Sequence, residues 1–267
     1  MVVSRLQFLY NFGVSKIFLS VVIPSYDEMA NLQKGVLDKV EHFLSRKKFK
    51  YEVIIVDDGS TDGSIEFVER FIKDNNNFKL IKNPHLGKAR TVIQGMLDAK
   101  GQYILFTDMD QATPIEEADK LLPYFNPSNA GFDIVIGSRN STRKGSPWTR
   151  ILMAKGMMFL RRLMIGIRGI SDTQCGFKMF RSDVAKKLFT KIDSLHSKAA
   201  RITGSSVSAG FDVEILYLAE KLGYKIKEVP VNWLYVETRR VNPIKDSIEG
   251  FMDLVRIKVN DAKGVYK

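Results

Sequence analysis

Cysteine and histidine are nearly missing from this chain: one cysteine, Cys175, and three histidines, His42, His85 and His196, stand among 267 residues. A lone cysteine excludes an internal disulfide and makes a reducing compartment the natural expectation. Histidines this few and this scattered form no zinc-type ligand spacing. No apolar run approaches the ~20 residues that span a bilayer. The opening stretch MVVSRLQFLYNFGVSK interrupts its apolar residues with Arg5, Asn11 and Lys16, so neither a signal peptide nor a transmembrane helix is expected. The spacing Gly-X4-Gly-Lys-Ser/Thr does not occur, which argues against an ATPase or GTPase. Acidic residues are also in deficit. With 41 Lys and Arg against 30 Asp and Glu the net charge is +11, a surplus that implies an anionic partner: nucleic acid, a phosphorylated substrate or an acidic membrane surface.

What is present reads as an α/β chain, with 45% hydrophobic residues to build a core. Residues 17–24, IFLSVVIP, form a short continuous apolar run rich in β-branched side chains and closed by proline, the pattern of a buried strand. Leu32, Val36, Val40, Phe43 and Leu44 then recur at helical spacing. The unit repeats: residues 51–56 predict a second strand, the turn DDGSTDG follows, and Ile65, Val68, Phe71 and Ile72 line one helix face. Further strands are predicted over 78–82, 103–106 and 133–137. Strand alternating with helix in this way builds a mostly parallel sheet with helices on its faces.

Polar residues gather where these strands end. In open α/β sheets the ligand crevice lies beyond the carboxyl ends of the strands, and the predicted ends carry in turn Asp27 and Glu28, Asp57 and Asp58, Asp108 and Asp110, and Arg139. The stretch TDMDQAT holds two carboxylates one residue apart, suited to a hard divalent cation shared with a diphosphate. An Asp-X-Asp alone is equally the mark of a solvated turn, and Asp57-Asp58-Gly59 alone of a capping cluster. Four polar strand ends in one sheet favour a ligand site. Gly87 and Lys88 open a helix after the third strand, where dipole and charge both suit an anion.

The second half is less regular. Residues 147–169, PWTRILMAKGMMFLRRLMIGIRG, place Arg150, Arg161 and Arg168 on one helical stripe and Lys155 and Arg162 on another, among Met, Leu, Ile and Phe. This fits a helix lying in a membrane interface, or equally a core or dimer helix with snorkelling cations. Residues 169–181 read as a loop with short extended pieces, in which Cys175 is a packing thiol rather than a nucleophile. Residues 194–210 are rich in Ser, Ala and Gly and read as a connection or lid. A helix over 211–222 ended by Gly223, a last strand over 224–231 and an amphipathic helix over 244–258 complete the chain.

Taken together, SVVIPSYDE, VIIVDDGSTDGS, TDMDQAT, IVIGSR, SDTQCGFKMF and GFDVEILY followed by VPVNW resemble the inverting family 2 glycosyltransferases with a GT-A fold, most closely the dolichyl-phosphate (polyprenyl-phosphate) β-glucosyltransferase branch. The resemblance runs from about residue 20 to residue 240. It implies a single GT-A domain over 1–267, with a Rossmann-like nucleotide-sugar half (18–140) and an acceptor half (141–267) carrying amphipathic membrane-contact helices. Pro24, Tyr26, Glu28, Asp57 and Asp58 are implied nucleoside contacts, with Asp58 at the base and Lys88 beside them. Asp108 and Asp110 are implied to hold Mg²⁺ or Mn²⁺ and the sugar nucleotide. Arg139, Lys178 and Arg240 are implied to meet phosphates of donor or acceptor, and Asp172 and Gln174 to lie near the transferred sugar and the acceptor phosphate. The expected catalytic set is Asp108, Asp110, Arg139 and Asp172. Three departures stand out: Ala112 replaces a metal-ligating Gln of related mannosyl transferases, Met109 is a large spacer, and the loop around His85 differs from the family's Asn-Arg-Gly-Lys-Gly.

The implied reaction moves glucose from UDP-glucose to a polyprenyl phosphate with inversion. GDP-mannose as donor, or a polysaccharide as acceptor, are the alternatives. A peripheral position on the cytoplasmic face of a membrane is expected, because the family's N-terminal anchor is not seen in this sequence. Nucleic acid is not an expected partner, since no recognition module occurs and the basic residues follow apolar stripes rather than stacking aromatics. Oligomeric state is left open.

Overall fold

The computed structural model describes residues 17–129, 131–139, 156, 159–196, 209–234 and 243–266. The expectations for Arg240, for residues 147–155 and for most of the 194–210 connection fall outside these residues. Seven strands form one sheet: β1 (Leu19–Ser25), β2 (Tyr51–Asp57), β3 (Phe78–Lys82), β4 (Tyr103–Thr107), β5 (Ile134–Ser138), β6 (Phe177–Arg181) and β7 (Ile226–Pro230). Their order is β3-β2-β1-β4-β6-β5-β7. Every pairing is parallel except those of β6, which runs antiparallel to both β4 and β5.

The sheet is buried on both faces, which is why its strands read as unbroken apolar runs rather than alternating ones. Val22, Ile54, Phe106, Ile136 and Phe180 point to one side. There they meet α4 (Lys88–Asp98), α6 (Ser182–His196), α7 (Ala209–Lys221) and α8 (Pro243–Ala262). Val21, Ile55, Leu105, Val135 and Met179 point to the other side. That face is covered by α1 (Met29–Leu32), α2 (Val36–Ser45), α3 (Ser64–Asp74) and α5 (Ala118–Leu121).

Local chemistry shifts several predicted boundaries. The helix after β1 is broken in two by Gly35, whose φ of 71° interrupts the α-helical run. After Pro114 the chain enters a 3₁₀ turn at Ile115–Glu117 before α5 and another at Leu122–Phe125 after it. β6 lies inside the stretch expected to be a loop with short extended pieces. Lys178 interrupts its apolar alternation, and its partners β4 and β5 are remote in sequence, so no local signal announces it. α6 is also unanticipated, although Val184, Leu188 and Ile192 recur at i, i+4 and all are buried.

This topology decides where a ligand goes. β2 and β3 extend from one side of β1 while β4 joins the other, so the strand order reverses between β1 and β4. A crevice opens at such a reversal, beyond the carboxyl ends. Asp108 follows directly on β4, at that reversal.

Candidate active site

At the ends of β1 and β2 the acidic residues are organised by the turn itself. Asp57 is fully buried and accepts the N–H groups of Gly59 and Ser60 at 2.9 and 2.8 Å and the Ser60 hydroxyl at 2.6 Å. Asp58 turns to the other face, where its carboxylate accepts the amides of Leu86 and Gly87, both at 2.9 Å, and stands 2.9 Å from His85 Nδ1. Asp27 has a φ of 48° and ties the two loops together, taking the Thr61 amide at 2.8 Å while its own amide donates to Ser60 Oγ. Glu28 accepts a bond from Asn31 Nδ2 at 2.5 Å. Asp57 and Asp58 thus shape the loops that border the crevice. The surface they shape is aromatic: Tyr26 stacks on His85 with ring centroids 4.3 Å apart and planes 22° from parallel. Pro24 lies within β1, opposite Val56.

The TDMDQAT stretch leaves β4 in a tight turn with Gln111 at a φ of 48°. Gln111 and Asp27 are the two non-glycine residues of positive φ among the described residues. Both sit in crevice loops, where strained backbone commonly marks a ligand site. Met109 is buried in the core on the α2 side, so the large spacer acts as an anchor for the turn. Lys88 Nζ lies 2.6 Å from Asp108 Oδ1. Burial works against the Lys88 charge, but Asp108 and the neighbouring Asp212 and Asp110 outweigh it and hold its pKa above the ordinary lysine value. Asp110 moves the opposite way to most paired carboxylates. Burial and the charge of Asp108 push its pKa up, against a 3.0 Å bond from the Ala112 amide and the pull of Lys88 and Lys34.

Gly176, on the approach to β6, closes in from the second half. Its carbonyl accepts the Asp108 amide at 3.2 Å, and a Cβ placed on it would lie 1.8 Å from Asp108 Oδ2. A Cβ at this position would have to displace that carboxylate. The loop before it is held on both sides. Asp172 is fully buried and clamps Arg139 through Nε and Nη2, both at 2.7 Å, while accepting the Arg139 amide at 3.0 Å. Burial alone would raise the Asp172 carboxyl, yet these bonds and the guanidinium charge bring it down to about 2. Glu228 on β7 accepts the Asp172 amide at 2.8 Å and fixes the loop from behind.

For Arg161 the structure selects between the two alternatives left open, and for Lys178 it changes the expectation. Arg161 lies inward rather than on an exposed basic stripe: it is buried, donating at 2.8 Å to Thr173 Oγ1 and at 2.8 Å to Gln174 Oε1. The sequence reading grouped it by helical angle, which cannot distinguish a stripe facing lipid from one facing a loop 12 residues away. Lys178 is fully buried opposite Phe106 and Ile136, and its ammonium is engaged by Asp212 at 2.5 Å and by the Cys175 carbonyl at 2.6 Å. Asp212, Arg161, Gly176 and Glu117 are structural members of the site that were not assigned roles. Asp212 lay within the motif GFDVEILY, which was the available signal for it. Glu117 is buried and accepts both the backbone amide and the side-chain amide of Asn232, at 3.0 and 2.9 Å, and the Leu234 amide donates to the Ala112 carbonyl at 2.7 Å. The VNW segment therefore braces the aspartate turn. Cys175 is buried as expected, and its thiol is pushed up to about 12, chiefly by burial.

The donor set suits a hard cation in part. Asp108 and Asp110 offer two carboxylates, and no group of three or more acidic, His or Cys ligands occurs among the described residues. Mg²⁺ and Mn²⁺ sites of this kind are completed by substrate phosphates and water. The Asp110 carboxyl is raised first by burial and then by the charge of Asp108, and a cation between the two would favour its ionised form. Among the described residues three buried side-chain oxygens have no hydrogen-bond partner within the chain: Ser25 Oγ, Gln111 Oε1 and Ser138 Oγ. All three lie at the carboxyl edge, on β1, β5 and the β4 turn. Burying such an atom unpaired costs roughly 1–3 kcal/mol, so each of these positions suits a polar partner, water or ligand.

Residues 20–189 match the family model described as Glycosyl transferase family 2. The dolichyl-phosphate beta-glucosyltransferase of Dictyostelium discoideum is 35% identical over 95% of this chain and 78% of its own length. The proteins of the same description from Drosophila melanogaster and Homo sapiens are 36% and 32% identical, each over 93% of this chain and 77% of their own. Among solved structures, mannosyl-3-phosphoglycerate synthase from Rubrobacter xylanophilus superposes with a TM-score of 0.66 at 15% identity, covering 92% of this chain and 75% of that one. Glucosyl-3-phosphoglycerate synthase from Mycobacterium tuberculosis, in complex with Mn²⁺ and UDP-glucose, gives 0.62 at 16% identity over 90% and 79%. These likenesses establish the GT-A fold.

Proposed function

Since this chain belongs to glycosyl transferase family 2, and is a glycosyltransferase of the dolichyl-phosphate β-glucosyltransferase kind, we propose that it transfers glucose from UDP-glucose to a polyprenyl phosphate with inversion. The observation that carries this reading is the meeting, at one sheet edge, of the Asp108–Asp110 turn with the loop of Asp172, Thr173 and Gln174. Gly176 packs against Asp108 itself, so a donor on the first and an acceptor at the second would share a boundary.

In the proposed reaction an acceptor phosphate oxygen forms a bond to the anomeric carbon while the bond from that carbon to the nucleotide's diphosphate breaks. A phosphate monoester has a second pKa of about 6, so at neutral pH the nucleophile is already largely ionised and needs no strong base. Asp172 is correspondingly held as a permanent carboxylate by Arg139, a state suited to orienting rather than to taking a proton. The demand falls on the leaving diphosphate. Lys88 and the N-terminus of α4 offer positive charge to it, as does the outer edge of the Arg139 guanidinium, which Asp172 clamps on its inner edge. Asp108 and Asp110 would hold the divalent cation, which supplies Lewis-acid stabilisation of the departing phosphates.

A lipid acceptor is supported by α8, whose Asp253 accepts the Gly210 amide at 2.7 Å, two residues before Asp212. On α8, Ile248, Phe251, Met252, Val255 and Val259 fall within about 100° of arc, opposite the buried Leu254 and Ile257. Ile248 and Met252 are 60% and 59% exposed. Arg256 and Lys258 border this stripe on either side. That is the pattern of a helix lying in a membrane surface, here the cytoplasmic face. A largely apolar cavity of about 220 Å³ opens beside Thr173, lined by Phe159, Arg161, Ile165, Ile167 and Val213 among others.

The reaction is tested with purified protein, Mn²⁺ and a short-chain polyprenyl phosphate, given UDP-glucose or GDP-mannose in separate reactions, with Asp110→Ala as control. Glycolipid from UDP-glucose alone, lost in the variant, is expected. Product from GDP-mannose alone would overturn the sugar, and donor hydrolysis without glycolipid would overturn the acceptor. Flotation with vesicles tests the membrane face: binding to anionic vesicles, weakened by Ile248→Asp with Met252→Asp, is expected, and equal flotation of wild type and variant would remove α8 from the reading.

A further inference from the structure

We infer that Lys88 is an internal counterion that holds Asp108 and is exchanged for the divalent cation as the donor's diphosphate arrives, so that cation and nucleotide bind as a coupled pair. The inference rests on the proposed cation site and concerns the order of events within it.

Lys88 Nζ lies 2.6 Å from Asp108 Oδ1, so a cation ligated by this oxygen meets an ammonium already bonded to it and is repelled by its charge. Among the described residues the neighbouring carboxylates are already engaged. Asp212 is the next carboxylate acting on Lys88, but it is already bonded to Lys178 at 2.5 Å. Asp110 is the other proposed ligand of the same cation. Nor can the lysine withdraw with its backbone. It is the first residue of α4, and the two residues before it, Leu86 and Gly87, donate their amides to buried Asp58. Only the ammonium end of the side chain can pivot, with the stem beside the Phe106 ring, 5.6 Å from the ammonium.

A dication entering alone would therefore set a bare ammonium beside itself, without a partner for either repelled charge. A diphosphate changes that balance. It arrives at the N-terminus of an 11-residue helix, where backbone dipoles favour an anion. It gives the released Lys88 new oxygens to bond and the cation its remaining ligands. Each ligand then makes room for the other, which is a coupling free energy and must be reciprocal.

The experiment measures Mn²⁺ binding by the free-Mn²⁺ electron paramagnetic resonance signal, with and without saturating UDP, for wild type, Lys88→Met, Lys88→Arg and Asp108→Asn. In wild type, UDP is expected to tighten Mn²⁺ binding by about tenfold or more, within the usual range of such couplings. In Lys88→Met, Mn²⁺ alone is expected to bind several-fold tighter than to wild type, with the enhancement by UDP reduced towards unity. Lys88→Arg keeps the charge and retains the enhancement, and Asp108→Asn binds no Mn²⁺ in either condition. A lysine that served only the fold would weaken binding in both conditions and leave their ratio unchanged. If folded Lys88→Met, checked by thermal melting, binds Mn²⁺ alone no more tightly than wild type, the exchange is overturned and the cation site stands. If wild type binds no Mn²⁺ even with UDP, the cation site itself falls and the inference with it.

Discussion

At the end of β5 the Arg139–Asp172 pair is closed on itself, whereas at the end of β4 the Lys88–Asp108 pair is shared with a second carboxylate. Asp172 is buried and takes two side-chain bonds and one backbone bond from a single arginine, and its pKa falls to about 2. Asp108 is about a third exposed and takes one lysine bond, while its charge contributes to raising Asp110. A planar guanidinium matched to a carboxylate makes a fixed structural clamp, while an ammonium on a flexible stem makes a contact that can be traded. The two pairs divide the work along one edge. The first fixes the loop of Asp172 against the end of β5, and the second, in the exchange proposed above, leaves the Asp108–Asp110 turn open to a change of partner.

The contrast can be broken from either end. Gly176→Ala should have the largest effect. It forces a Cβ into the Asp108 carboxylate and displaces that group, and a misplacement of this order should lower kcat/KM by at least about 10²-fold. A transferase assay on the folded variant checks this, and near-normal activity would mean that the position of Asp108 is not critical. Asp172→Asn should act on stability first. The folded-state pKa lies below the unfolded one, so the stabilisation is present above about pH 4 and is lost as pH falls towards 2. At pH 7 the loss should be about 2 kcal/mol from the shift of roughly two pKa units. Urea unfolding from pH 7 down to pH 3 should show wild type and variant converging as the pH falls. A constant gap at all pH values would detach the stabilisation from the Asp172 charge.

The two pairs also differ in how far they could be read from the chain alone. Asp108 and Asp110 stand in a local motif directly after an apolar run, and Lys88 beside Gly87 at a helix start is equally local. Their meeting required only that β4 and α4 belong to neighbouring βα units. Arg139 and Asp172 were each singled out, but their bond spans 33 residues and depends on where the loop before β6 is placed. Arg161 shows the limit clearly. Helical spacing put it on a stripe with Arg150 and Arg168, while the fold turns it inward to Thr173 and Gln174. Asp58 was expected at the base of a nucleoside, and its carboxylate is occupied by the Leu86 and Gly87 amides.

By itself the sequence determined the α/β class, the five strands of the first half and the polar character of their ends. Apolar run length, turn residues and helical spacing are local properties, set by backbone sterics and by what each short segment must bury. Tertiary structure decided which of those ends would face one another. Antiparallel β6 brings Gly176 to Asp108 and Lys178 to Asp212, and the loop before it brings Asp172 to Arg139. These pairings are long-range, and their geometry depends on how the strands of both halves join in one sheet. Individual carboxylates can be recognised from their neighbours in the chain, but whether each is locked, shared or exchangeable depends on charges that only folding places beside them.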